Sequence, residues 1–421
     1  MQHTDTIVVG AGHAGLAVSR LLTATGHDHV VLDRGRVAER WRSERWDSLH
    51  LLTPNWMTRL PGFSYRGPDP DGHLPAHRLV RHLEAYAASF RAPVLTGTVV
   101  REVASSSDGY RVDTDRGSWR TLSVVIATGP GEMPALPGSL RRPDPRIHVL
   151  PASAYRNPGL LPPGGVLVVG ASSSGVQIAD ELARAGRSVV VAVGRHTRVP
   201  RSYRGMDIFW WLECTGRLAR TIDEVADADA ARHEPSLQLV GRAAGDQLPA
   251  DLDLGTLLAH GVRLTGRLAG IDGTAVQLQD DLRHSIGAAE RRLERLLDSV
   301  DRYVDEQGLT AEVWPPERPR PVPIPASPTR MDLRAEGIGT VLFATGYRPH
   351  HPWLRVPVTA GDGSIVQHRG VTAAPGLYVV GQRFQHRRDS SFVDGARHDA
   401  AAVVGHLRRT GFAGARIGPR S

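Results

Sequence analysis

Short β-branched runs recur along the chain, each followed by a glycine turn and then by apolar positions at helical spacing. Residues 6–9 (TIVV) lead into Gly10-Ala11-Gly12-His13-Ala14-Gly15 and on to Leu16, Leu21 and Leu22, a pattern that predicts strand, tight turn and helix. Gly26 closes that helix, and residues 29–32 (HVVL) predict a second strand ending at Asp33. The same construction returns at residues 165–170 (GVLVVG), followed by Gly170-Ala171-Ser172-Ser173-Ser174-Gly175, a helical run to Gly186, and a strand at 188–193 (SVVVAV) that ends in Gly194-Arg195-His196. A third echo joins residues 123–129 (SVVIATG) to residues 340–346 (TVLFATG). Residues 376–381 (GLYVVG) predict one more strand, 382–388 a polar turn, and 390–407 a final helix. Strands alternating with helices predict an α/β chain with two Rossmann-like dinucleotide-binding domains.

The glycines at these turns have a physical task. Gly10 permits a sharp turn, Gly12 lets backbone approach a phosphate with no Cβ in the way, and Gly15 lets helix and strand pack closely. The helix N-terminus beyond them offers unpaired N–H groups and partial positive charge to an anion. Asp33 then meets ribose hydroxyls and repels a 2′-phosphate, so the first turn suits FAD or NAD. In the second turn Ser172 replaces the middle glycine; its small side chain still admits a phosphate and adds a hydroxyl. Arg195 stands where the first repeat has its acid, which favours NADPH, with Arg198 and Arg201 as candidate reinforcements.

Composition removes several alternatives. At 421 residues the chain is long enough for two or three domains. No run approaches the ~18 apolar residues of a membrane span, and the first residues lack a signal-peptide pattern, so a cytoplasmic protein is expected. All 51 basic residues are arginine, which excludes a Schiff-base lysine and a P-loop lysine. The net charge of +7 is dispersed among 44 acids, with no basic tract for nucleic acid. The histidines, the adjacent pair His350-His351 included, show no metal-ligand spacing. The single cysteine, Cys214, cannot form a redox dithiol, so electrons reaching a flavin must leave to dioxygen or to an organic acceptor.

Taken with Glu39-Arg40-Trp41-Arg42-Ser43-Glu44-Arg45-Trp46 and the following HLLTP and Leu60-Pro61-Gly62, these motifs resemble the flavin-containing monooxygenase superfamily, in particular its bacterial flavoproteins similar to indole-3-pyruvate monooxygenases. The resemblance implies an FAD domain from residues 1–160 and 329–421, with an NADPH domain of 161–328 between them. It implies an activity that inserts one atom of O2 into a small organic substrate through a flavin C4a-(hydro)peroxide. Arg34, Arg40, Trp41, Arg45, Thr53, Pro54, Ala127, Thr128, Gly129, Ala344, Thr345, Gly346, Gly381, Gln382 and Asp394 become candidate cofactor contacts, beside the glycine turns. Asn55, after Thr53-Pro54, is the candidate catalytic donor near the flavin adduct, and the N-terminus of the final helix near Ser391 and Asp394 is the expected seat of the flavin pyrimidine. One departure is that the H-S-x-x-Y pattern ending at Tyr155 has Pro151 in the histidine's place, with His148 three residues early, which weighs against Baeyer–Villiger chemistry. Residues 285–307 predict an amphipathic helix that packs on its own domain or forms a homodimer surface. Phe209-Trp210-Trp211 predict ordinary helix packing over a tunnel roof. The rivals are an FAD-dependent NADPH dehydrogenase or oxidase that does not oxygenate, and a flavin-binding redox sensor without turnover.

Overall fold

In the computed structural model, residues 1–410 are described apart from 139, 240 and 242–250. The chain opens with β1 (Gln2–Val9), α1 (His13–Ala24) and β2 (His29–Leu32), then α2 (Ala76–Ser89), β3 (Val94–Leu95), β4 (Val100–Ser106), β5 (Gly109–Thr114) and β6 (Gly117–Ile126). β1 is central, paired in parallel with β2 and β6, in a sheet ordered β3-β2-β1-β6-β5-β4. Residues 6–9 of β1 are buried on both faces, as the continuous apolar run requires, because α1 and α2 cover one side.

After β7 (Met133–Pro134) and β8 (Leu140–Pro143), the chain enters a second parallel sheet through β9 (His148–Pro151) and β10 (Gly165–Val169). α3 (Ser173–Arg184), β11 (Val189–Ala192), α4 (Ile208–Cys214), β12 (Arg263–Thr265), β13 (Leu268–Gly273), β14 (Ala275–Leu278), α5 (Leu282–Glu306), β15 (Arg330–Asp332) and β16 (Ile338–Phe343) follow. The second sheet is ordered β12-β11-β10-β16-β9, and a smaller sheet is ordered β15-β14-β13-β8. α5 buries Leu293, Leu296, Leu297, Val300 and Val304 against its own domain, and Phe209 and Trp211 of α4 are core residues there.

β17 (Tyr347–Arg348) pairs antiparallel with β7, so the two crossings between the domains lie side by side. β18 (Leu377–Val379) then returns to the first sheet beside the second half of β6, and α6 (Ala396–Thr410) packs on α1. Two expected boundaries move. β8 and β9 are already paired in the second domain before residue 160, and β15 and β16 are still paired there after residue 329, so the crossings lie near 133 and 347. Residues 411–421 of the expected return segment lie outside the described residues. No helix among the described residues is long and apolar enough to cross a membrane.

Candidate functional site

The two glycine turns are built alike. Gly10 has φ +113° and Gly170 φ +108°, and a Cβ on either would stand 2.6 Å from the carbonyl oxygen of Ala127 or of Ala344 respectively. A Cβ on Gly15 would lie 2.0 Å from the Gly10 oxygen, and one on Gly175 1.9 Å from the Gly170 oxygen. The two Ala-Thr-Gly echoes therefore do one job: each ends the strand beside the first strand of its domain and backs the turn there with a small alanine. Gly12 differs, because a Cβ on it would meet nothing within 4 Å. It faces open ground, which is the space a pyrophosphate needs. Neither Gly12 nor Ser172, the N-cap residues of α1 and α3, caps its helix through a side chain, so the first-turn N–H groups are left for an anion. Ser173 is buried and accepts a hydrogen bond from Gln177, while Ser174 is half-buried in the first turn of α3.

Sequence reasoning passed over His13, the first residue of α1. Burial lowers its pKa to about 4, so at pH 7 it is a neutral imidazole, and its buried Nε2 has no hydrogen-bond partner among the described residues. At the mouth of the first cradle it supplies a polar ring atom without charge.

Asp33 ends β2, where its carboxylate accepts from the N–H of Ala11 (2.6 Å) and of Gly35 (2.8 Å). It braces the cradle while each oxygen keeps acceptor capacity for a ribose hydroxyl. The loop beyond it forms a ladder of cations. Arg40 pairs with Glu44 at 2.8 Å and lies over the Tyr347 ring, Arg45 stacks on Trp41 and donates to the Glu44 carbonyl, and Arg34 stands 3.8 Å from Glu44. Trp41 is half-buried between the two domain cores, and Trp46 is buried in the second. Gln382, beyond Gly381 at the end of β18, donates to the Gly129 carbonyl at 3.0 Å, which brings the return segment to the first cradle. Thr128 keeps a buried hydroxyl without a partner among the described residues, and the Thr345 hydroxyl donates to the Ala135 carbonyl beside Gly346.

Thr53 and Pro54 lead into a single turn of 3-10 helix at Asn55–Met57, packed against α4. Asn55 is buried, and its Nδ2 donates to the Asp69 carbonyl at 2.9 Å; only the amide nitrogen can do so, which fixes the orientation. Oδ1 is then buried and has no hydrogen-bond partner among the described residues. Asn55 thus presents an acceptor beside the donor expected of it, since Nδ2 carries a second N–H besides the one given to Asp69.

The expected start of the final helix changes. The final helix begins at Ala396, not near residue 390, because the Ser390 hydroxyl accepts from the N–H groups of His386 and Arg387 and folds the preceding segment into a turn. Asp394 lies before the helix, held by Arg59 at 2.5 and 2.9 Å, and Arg59 also reaches Glu213 at the end of α4. Asp389, Asp394 and His398 bring three donor atoms within 4.8 Å of one another, but Arg387 holds the first and Arg59 and Arg397 the second, so this is an ion-pair network.

Arg198 and Arg201 are not phosphate ligands. Arg198 is buried on Asp253 and Glu290, and Arg201 on Asp207 and the Leu52 carbonyl. Arg195 is exposed at the end of β11 and makes no ion pair among the described residues. Its company comes from α5: Arg292 donates to the His196 carbonyl at 2.7 Å, and its pKa is lowered by burial first, then by Arg295, Arg195 and Arg291. Glu234 offsets part of that repulsion, and the positive charge that remains is what a 2′-phosphate would neutralise. Arg292 follows Arg195 by almost a hundred positions, so no local spacing announces it. His148 lies on β9, away from Tyr155, whose hydroxyl donates to Glu181 at 2.8 Å.

A family model described as pyridine nucleotide-disulphide oxidoreductase matches residues 7–208. An uncharacterized oxidoreductase of Geobacillus kaustophilus is 28% identical over 411 residues, 97% of this chain and 99% of that protein. A probable indole-3-pyruvate monooxygenase of Arabidopsis thaliana is 31% identical over 211 residues, 48% of this chain and 50% of that protein. Among solved structures, a flavin-containing monooxygenase from Stenotrophomonas maltophilia is similar with TM-score 0.63 at 18% identity, covering 97% of this chain and 99% of that one. The thioredoxin reductase of T. acidophilum is similar with TM-score 0.52 at 14% identity, again over 97% and 99%. At such identities the shared property is the two-domain dinucleotide-binding fold.

Proposed function

Because its relatives and structural neighbours support membership of the flavin-containing monooxygenase superfamily, we propose that this flavin- and pyridine-nucleotide-using oxidoreductase takes electrons from NADPH and transfers one oxygen atom of O2 to a small organic molecule, the other leaving as water. The observation that carries the reading is the lone thiol. A disulfide reductase of this fold needs two sulfurs, and Cys214 is the only cysteine of the 421 residues, its thiol pushed up by burial in α4.

FAD, in the cradle of Gly10, Gly12 and Gly15, supplies the capacity to accept a hydride and to react with oxygen. The protein's contribution is in its own groups. The N-termini of α1 and α3 bind the two diphosphates, Asp33 meets the ribose, and Arg195 with Arg292 selects the phosphorylated nucleotide. Asn55 Oδ1, dry and unpaired, satisfies an N–H presented by a ligand ring, while the Asp69 carbonyl keeps the amide from turning over. The packing of residues 52–57 on α4 excludes water from that side.

The test measures NADPH consumption, peroxide release and oxygenated product together, using amines, thioethers and 2-oxo acids as candidates, for the wild type and Asn55→Asp. A substrate that accelerates NADPH consumption without a matching rise in peroxide supports the reading, with Asn55→Asp shifting the balance toward peroxide. Peroxide equal to the NADPH consumed under every candidate favours an oxidase. Unequal NADPH and NADH rates are expected in either case, since nucleotide choice lies at Arg195.

A further inference from the structure

Away from both nucleotide cradles, four arginines converge on one cavity. It has a volume of about 380 Å³, within the size range of small-molecule sites, and is walled by Arg217 and Arg220 after α4, by Ser299, Arg302 and Tyr303 of α5, and by Arg388. Arg302 lies ten residues beyond Arg292, so about 15 Å along the helix from the Arg195 cluster.

We propose that this cavity binds a small molecule carrying a phosphate dianion. Charge is the first reason. Four guanidinium groups face three nearby carboxylates, Glu306 in the wall, Glu234 on Arg388 and Glu224 beside Arg220, which leaves one positive charge in excess. The second reason is that the arginines are held in place without being used up. Arg217 gives one N–H to Ser299 at 2.8 Å, Arg220 gives one to the Glu224 carbonyl at 2.8 Å, and the Arg388 backbone N–H bonds to the Arg220 carbonyl at 3.0 Å. Arg302 makes no ion pair among the described residues and is exposed at the rim. Each therefore retains donors, and a guanidinium fork matches phosphate oxygens two at a time. The third reason is that the cluster opposes itself: the Arg217 pKa is lowered by burial first and then by Arg388 and Arg220. A dianion relieves that repulsion. The Tyr303 hydroxyl adds a donor for a remaining oxygen, while Ser299 gives its own to the Leu296 carbonyl and serves to hold Arg217.

The full-length FAD-loaded protein is titrated with inorganic phosphate and with phenyl phosphate at constant ionic strength, following thermal stability against chloride and succinate controls. A saturable rise with the phosphates alone is expected. Tighter binding of phenyl phosphate assigns the site to an organic phosphate, and the opposite order to the free anion. Arg302→Glu should weaken the response on the order of tenfold, the loss of one charge-assisted hydrogen bond, while leaving the NADPH KM unchanged. Arg195→Ala should do the reverse, which separates this site from the nucleotide cradle. Phosphate should also protect Arg217 and Arg302 of the wild type from phenylglyoxal, read by mass spectrometry, a measurement that needs no variant to fold. No protection, an equal response to succinate, or an unchanged response in Arg302→Glu overturns the proposal.

Discussion

Gly12→Ala separates the folding role of the first glycine turn from its binding role. The Gly12 backbone is extended, φ −79° and ψ −179°, and a Cβ there touches nothing within 4 Å, so the substitution strains nothing in the protein. Two small effects oppose each other: alanine restricts the unfolded chain, worth about 0.4–1 kcal/mol in favour, and is a poorer N-cap than glycine by a similar amount. Stability of the flavin-free protein should stay within about 1 kcal/mol of wild type. The new methyl nevertheless stands in the open ground at the helix N-terminus. Losing two charge-assisted N–H contacts to a phosphate costs about 3–6 kcal/mol, or roughly 10²- to 10⁴-fold in affinity. Gly15→Ala is the contrast, because its Cβ would sit 2.0 Å from the Gly10 carbonyl oxygen and the cradle must deform. Melting of the flavin-free proteins and fluorescence titration with FAD measure both quantities. Gly12→Ala that binds FAD within threefold of wild type refutes the assignment of this cradle to the pyrophosphate.

Arg195→Ala should raise the NADPH KM by about tenfold or more and leave the NADH KM unchanged, as removal of one guanidinium–phosphate contact requires, and steady-state kinetics with both nucleotides checks it. Asp399 is buried on the inner face of α6, 3.9 Å from His386, and burial foremost, with Asp389 adding, raises its pKa to about 7 from 3.8. Between these values the unfolded chain has released a proton that the fold retains, so this group's contribution is intact below about pH 4 and is lost as pH rises to about 7, by about 1.4 kcal/mol per pH unit and some 4 kcal/mol in all. Asp399→Asn should therefore gain stability over wild type progressively from pH 5 to pH 8 in thermal melts; a constant difference between the two proteins contradicts the assignment.

What the sequence disclosed was local. Gly10, Gly15, Gly170 and Gly175 announce their turns because each constraint acts within a few residues, and the Ala-Thr-Gly echoes mark the strands that back them. What it concealed was decided by partners far away in the chain. Arg198 and Arg201 look as available as Arg195 until Asp253, Glu290 and Asp207 fold onto them, and Arg292 reaches the same strand end from a helix with no motif. The start of the last helix was obscured for a related reason: Ser390 and Asp394 are acceptable near a helix N-terminus, but the Ser390 hydroxyl closes a turn and Asp394 answers to Arg59. Asn55 is proposed by its position after Thr53-Pro54, but which of its amide atoms is left free depends on the distant Asp69 carbonyl.

The paired ribbon of Met133–Pro134 with Tyr347–Arg348 gives the two halves of the molecule a common pivot. Neighbouring strands joined by hydrogen bonds can twist together but resist being drawn apart, so a motion of the halves about this ribbon would be a swivel, working against the ties of Arg59 to Glu213 and of Arg201 to the Leu52 carbonyl. Tyr347 belongs to that pivot while its ring bears the Arg40 guanidinium. Any such swivel would be felt at the first cradle as a displaced cation, coupling the posture of the molecule to the electrostatics of the site proposed for the flavin.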